Sequence, residues 1–116
     1  MITYKVVFLI KDNNDWDYLF HYITHLSQYP DIITGVVVIV TDTAVLSCLK
    51  GTKLDNFRFL LKTAIDEKTE FWICNNTLHK YNIAFDSLIP VFKLAEKGGI
   101  IKLCEFQSNG YCYIAL

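Results

Sequence analysis

Four cysteines and three histidines carry most of the reactive chemistry in this chain: Cys48, Cys74, Cys104 and Cys112, with His21, His25 and His79. No two cysteines form a CxxC pair and the histidines stand far from them in sequence, so zinc-ligand spacing is absent. His21 and His25 are four residues apart on a predicted helix, but neither an HExxH context nor a third ligand accompanies them, and no metal site is expected. Cys74 has a different setting. It ends the run Phe71-Trp72-Ile73-Cys74, whose aromatic and β-branched residues suit an interior strand. Asn75, Asn76 and Thr77 follow, residues that break a strand and cap a helix through their side-chain oxygens. A sulfur at such a junction meets free N–H groups and the positive end of a helix dipole, which favour a thiolate. Two roles fit this pattern, a reactive nucleophile and a small buried packing residue. Cys48, among Val45, Leu46 and Leu49, is expected in the core, Cys104 in the core side of the last helix, and Cys112 packed within the closing strand.

The elements that must position these residues alternate along the chain. Tyr4 to Ile10 is nearly continuous in apolar character, as buried parallel strands are. Lys11-Asp12-Asn13-Asn14 is a polar turn, and Asp15 is the expected N-cap of a helix to about Gln28. Trp16, Leu19, Phe20, Ile23 and Leu26 form its sheet-facing stripe, while Tyr18, His21, Tyr22, His25 and Tyr29 share the other face. Polar-tipped aromatics are enriched at interfaces, so that face is expected to be a subunit contact. Ile32 to Val40 is a second strand, followed by Thr41-Asp42-Thr43 as the cap of a short helix, Ala44 to Leu49, which stops at Gly51. Leu54, Phe57, Leu61, Ala64 and Ile65 then recur at helical spacing. After the Cys74 strand come a short helix to about Lys80, a helical turn before Pro90 and a strand from Val91 to Ala95. A helix opened by Gly98-Gly99 runs to about Ser108, and Tyr111 to Ala115 is the closing strand.

This order predicts an α/β fold, a three-layer α/β/α sandwich with a mainly parallel five-stranded sheet. In such folds ligands bind beyond the C-terminal strand ends, where Asp12-Asn13, Asp42-Thr43 and Cys74-Asn75 would converge.

The 116 residues suit one domain, 1–116, with no repeat or linker. An apolar fraction of 53%, with eight Phe, seven Tyr and two Trp, is more than a small monomer hides easily and points to self-association. Net charge is −1, with ten Lys, one Arg and twelve interleaved acids, which argues against nucleic acid as a partner. The longest apolar run, around Gly35 to Val40, is too short to span a bilayer, and the first residues lack a signal-peptide pattern. A cytoplasmic protein with reduced thiols and no membrane association is therefore expected. No GxGxxG or Walker sequence occurs, and the loop after the first strand is acidic and glycine-free, which argues against a nucleotide or flavin site. No cofactor is expected.

Several stretches together resemble the small DsrE-like proteins, the group of the DsrE, DsrF and DsrH sulfur-relay subunits and their Tus counterparts. The likeness lies in Ile10-Lys11-Asp12-Asn13 with Trp16, in Cys74-Asn75-Asn76-Thr77-Leu78, and in Ser87-Leu88-Ile89-Pro90. It ends in Gly98-Gly99-Ile100-Ile101-Lys102-Leu103 and the closing Gln107-Ser108-Asn109-Gly110-Tyr111-Cys112-Tyr113-Ile114. The resemblance implies a five-stranded layered domain assembled as a homotrimer, hexamer or related hetero-complex. It also implies that the cysteine after the third strand, here Cys74, carries sulfur as a persulfide. Similar proteins commonly have glycine after that cysteine; Asn75 stands there in this chain, a residue that tolerates a left-handed backbone. On this reading Cys74 thiolate takes sulfur from a donor protein's persulfide and passes it to an acceptor thiol. Backbone amides of Asn75, Asn76 and Thr77 hold the anion, while Asp12, Asn13, Asp42 and Thr43 orient the acceptor. The competing reading is a non-enzymatic oligomeric module that binds a small ligand or a partner, with Cys74 structural.

Overall fold

A computed structural model describes residues 1–56 and 69–116. The elements are β1 (Tyr4–Ile10), α1 (Trp16–Ser27), β2 (Ile33–Val40), α2 (Lys53–Asn56), β3 (Thr69–Cys74), α3 (Asn75–Lys80), β4 (Phe92–Ala95), α4 (Gly99–Ser108) and β5 (Cys112–Ile114). Short 3-10 turns at Asn13–Asp15, Asp42–Ser47 and Phe85–Ser87 supplement them. The expected helical repeat through Phe57, Leu61, Ala64 and Ile65 lies outside the described residues; Leu54, at its start, is buried.

The five strands form one sheet in the order β4-β3-β2-β1-β5, and every neighbouring pair is parallel. The expected mainly parallel α/β sheet is thus wholly parallel. Its central strands are apolar on both faces because both are covered. Val6, Phe8 and Ile10 of β1 point the same way as Val36, Val38 and Val40 of β2 and Phe71 and Ile73 of β3, into a core with Trp16, Leu19 and Ile23 of α1. Val7, Val37 and Ile39 point the opposite way, into a smaller core with Trp72, Leu103, Phe106 and Tyr111. There the Phe106 ring meets Trp72 edge-on at 6.1 Å and Tyr111 at 4.9 Å.

The strand order explains this division. From β1 to β4 each connection steps one place in the same direction, and the right-handed crossover rule puts α1 and α3 on one face. The last connection returns across the sheet to the far side of β1, so the same rule puts α4 on the opposite face. Neighbouring strands β3 and β4 therefore send their chains to opposite faces, the arrangement at which ligands of such folds bind.

The start of α1 differs from the expectation. Asp15 stands at the N-cap position but its side chain makes no capping bond; Asp12 instead accepts from Asn14 N–H at 2.8 Å, opening a 3-10 turn that leads into the helix. Buried Trp16 then donates its indole N–H to Ala44 O at 3.2 Å, tying α1 to the segment after β2. The face of α1 carrying Tyr18, His21, Tyr22, His25 and Tyr29 is exposed.

Cys48 is buried as expected, with its thiol directed to Ala44 O at 3.6 Å. The two later cysteines correct the expectation of packed thiols, because both are exposed. On α4 it is Leu103 and Phe106 that meet the sheet, and Cys104, one residue on, is rotated away. Cys112 lies on β5, an edge strand of three residues paired, among the described residues, with β1 alone.

Phe8 has no exposed surface, so Phe8→Ala should lower the unfolding free energy by about 3–5 kcal/mol in urea titrations. Tyr113→Ala, on the exposed edge strand, should change it by less than about 1 kcal/mol.

Candidate functional site

Cys74 is the last residue of β3 and stands directly before α3, with an extended backbone at φ −71° and ψ 117°. Its side chain makes no bond to the first turn of α3. The sulfur instead accepts a hydrogen bond from Gly99 N–H at 3.2 Å, the first residue of α4 arriving from the other face of the sheet. The expectation that Asn75, Asn76 and Thr77 amides would serve the sulfur is corrected in this respect: the donor comes from the second helix.

That approach requires glycine at two consecutive positions. Gly98 has φ +94°, and a Cβ there would lie 2.8 Å from Asn76 Nδ2. A Cβ on Gly99 would collide with Thr41 Cγ2 and stand 3.2 Å from Ile39 Cγ2. Without side chains the turn after β4 settles against the ends of β2 and β3, and the start of α4 reaches the sulfur.

Around this contact is an open cleft of about 370 Å³, lined by Lys11, Thr41, Asp42, Cys74, Asn76, Thr77, Lys80, Lys97 and residues 98–101. Cys74 is 5% exposed, so the cleft is the route to its sulfur. Asp42 has φ +53°, uncommon for a residue with a side chain. Its N–H donates to the buried Thr77 hydroxyl at 3.1 Å, and its carboxylate accepts from Thr41 Oγ1 at 3.1 Å. These bonds join the end of β2 to α3 and hold one cleft wall.

Of the residues expected at the site, Cys74, Asp42, Asn76 and Thr77 meet around the cleft. Asp12, Asn13, Thr43 and Asn75 do not line it. Asp12 caps the turn after β1. Asn13 N–H donates to Thr43 Oγ1 at 3.1 Å, Thr43 donates to Lys11 O at 3.2 Å, and Ser47 donates to the Asn13 side chain. Together they lock the loops after β1 and β2. Asn75 is the first residue of α3, where no left-handed backbone is needed, and its side-chain amide donates to Glu96 O at 3.4 Å.

Sequence reasoning missed the three lysines. Lys11, Lys80 and Lys97 lie far apart in the chain, and only the parallel sheet gathers the end of β1, the end of α3 and the turn after β4 at one edge. The Gly98-Gly99 pair was visible as a helix start, but its contact with Cys74 was not. Among the described residues no group of three or more His, Cys, Asp or Glu could hold a metal ion. No described helix is long and apolar enough to cross a membrane.

A scan against protein-family models finds no match, and no curated protein matches. Solved structures do. The chain is similar to a protein of unknown function, MTH1491 from Methanobacterium thermoautotrophicum, with a TM-score of 0.84, 19% identity, and coverage of 97% of this chain and 99% of that one. It is also similar to a conserved protein of unknown function, BT1422 from Bacteroides thetaiotaomicron, with a TM-score of 0.67, 11% identity, and coverage of 97% and 94%. At these identities the likeness shows a shared fold.

Gly99→Ala should cost about 1–3 kcal/mol in denaturant unfolding, because the added methyl meets Thr41 and Ile39. Burial pushes the Cys48 thiol above its ordinary value of 9.0. The unfolded chain therefore loses this proton first as pH rises, so stability falls above about pH 9 and is unaffected by this group below it. Measured as the difference from Cys48→Ala, that decline should approach about 1.4 kcal/mol per pH unit.

Proposed function

We propose that this chain carries sulfur as a persulfide on Cys74 in the manner of the DsrE-like sulfur-relay proteins it resembles. The observation that carries the reading is the Gly99 N–H directed at the Cys74 sulfur on the floor of the cleft. A fixed N–H donor stabilises negative charge on sulfur before and after transfer. Cys74 also ends β3, the neighbour of β4, at the point where the sheet's connections reverse and ligands of such folds bind.

In this reading the thiolate of Cys74 attacks the outer sulfur of a donor persulfide and the donor thiolate leaves. An acceptor thiolate later takes the same sulfur, regenerating Cys74. The chain works in the cytoplasm as a homo-oligomer, a trimer or hexamer, and the exposed aromatic face of α1 supplies a subunit contact. Donor and acceptor proteins are its partners. Asp42, Asn76 and Thr77 shape the cleft that receives them.

The low exposure of Cys74 favours the second reading, in which its thiol is a packing group and the fold an oligomeric binding module. The two separate in one experiment. The doubly substituted Cys104→Ser, Cys112→Ser chain leaves buried Cys48 and Cys74 as its thiols. Treated with inorganic polysulfide, it should gain one sulfur by intact mass, removable by reductant and absent once Cys74→Ser is added. An unchanged mass, with Cys74 inert to alkylation in the folded protein, rejects the sulfur carrier.

A further inference from the structure

The cleft over Cys74 has a charge pattern that speaks to the chemistry of the donor. Lys11, Lys80 and Lys97 all line one opening, on a chain whose net charge is −1. Lys80 also lies over the Tyr81 ring at 5.7 Å. Asp42 is the one carboxylate among the described lining residues, and it already accepts the Thr41 hydroxyl. The local balance is cationic, which raises the concentration of anions at the opening.

Backbone donors point to the same class of ligand. The first turn of α4, a helix of ten residues, lines the cleft through residues 99–101. Its intrahelical bonding begins at Lys102 N–H, which donates to Gly98 O at 3.2 Å. Gly99 N–H is given to Cys74, and the amides of Ile100 and Ile101 have no partner within the helix. Access narrows the choice further. A cysteine whose residue is 5% exposed, lining a cleft of about 370 Å³, suits a small dianion, whereas a persulfide on another folded protein needs a projecting segment to reach it.

We propose that the sulfur donor at Cys74 is a small sulfur oxyanion of the thiosulfate class, held by Lys11, Lys80, Lys97 and the first turn of α4. This rests on the persulfide reading and replaces its protein donor with an inorganic one. The Cys74 thiolate attacks the outer sulfur of thiosulfate. The bond between the two sulfurs of thiosulfate breaks, its electron pair leaves with sulfite, and a bond forms between Sγ and the transferred sulfur. One thiolate and one thiosulfate dianion become one persulfide anion and one sulfite dianion, so charge balances and no external oxidant or reductant enters. The lysines hold the sulfonate end, while Gly99 N–H faces the sulfur that changes partners.

Two measurements on the full chain test this, with sulfate as an unreactive probe and thiosulfate as the donor. In amide NMR titrations of Cys74→Ser, sulfate should shift Gly99, Ile100 and Ile101 saturably, beyond the effect of chloride at matched ionic strength. Lys11→Gln and Lys97→Gln should each weaken this binding roughly threefold to fivefold, and Lys97→Arg should keep it. In the Cys104→Ser, Cys112→Ser background, thiosulfate should add one sulfur to Cys74 and release sulfite in equal amount. Loading by polysulfide with neither sulfate binding nor sulfite release overturns the oxyanion donor and leaves the persulfide carrier standing. Saturable sulfate binding with no loading from either donor overturns the persulfide carrier, and the transfer step with it.

Discussion

A wholly parallel sheet must be covered on both faces, and here that constraint governs nearly everything else. On the forward connections α1 and α3 pack on one face, and the other is covered by the connection that travels back, carrying α4 across to β5. To lie flat over Val7, Val37 and Ile39, α4 must begin at the C-terminal edge of the sheet, close against β2 and β3. The contact between Gly99 and Cys74 is thus a product of how the sheet is closed over. Gly98 and Gly99 let the backbone come near enough for the helix start to face the sulfur.

Much of the fold was legible because burial on both faces leaves a plain signature. Val6 to Ile10 and Val36 to Val40 are continuous apolar runs, and Trp16, Leu19 and Ile23 recur at helical spacing; each sits where that pattern puts it. Cys48 was readable for the same reason, with apolar neighbours in sequence and in space. Cys104 and Cys112 were not, since their surroundings depend on the rotation of α4 and on β5 being an edge strand, and tertiary structure decides both.

The candidate site was legible only in part. Strand ends announced themselves through Asp, Asn and Thr, but such residues serve loops as readily as ligands. Asp12, Asn13 and Thr43 tie two loops together, while Asp42 and Thr77 build the cleft wall, and no local pattern separates the two uses. The lysines were hidden for the opposite reason. Each looks like an ordinary solvated charge in sequence, and its significance comes from neighbours contributed by other strands and helices.

Asp42 draws these threads toward a tension between durability and chemistry. Its left-handed backbone is a conformation that glycine adopts freely and that costs a residue with a Cβ on the order of 1 kcal/mol or more. Substitution by glycine would relieve that strain, yet it would also remove the one carboxylate among the described lining residues and leave three lysines there without an acidic neighbour on the lining. Backbone comfort and the charge of the pocket therefore pull this residue in opposite directions, and the side chain that stands there is the less comfortable of the two.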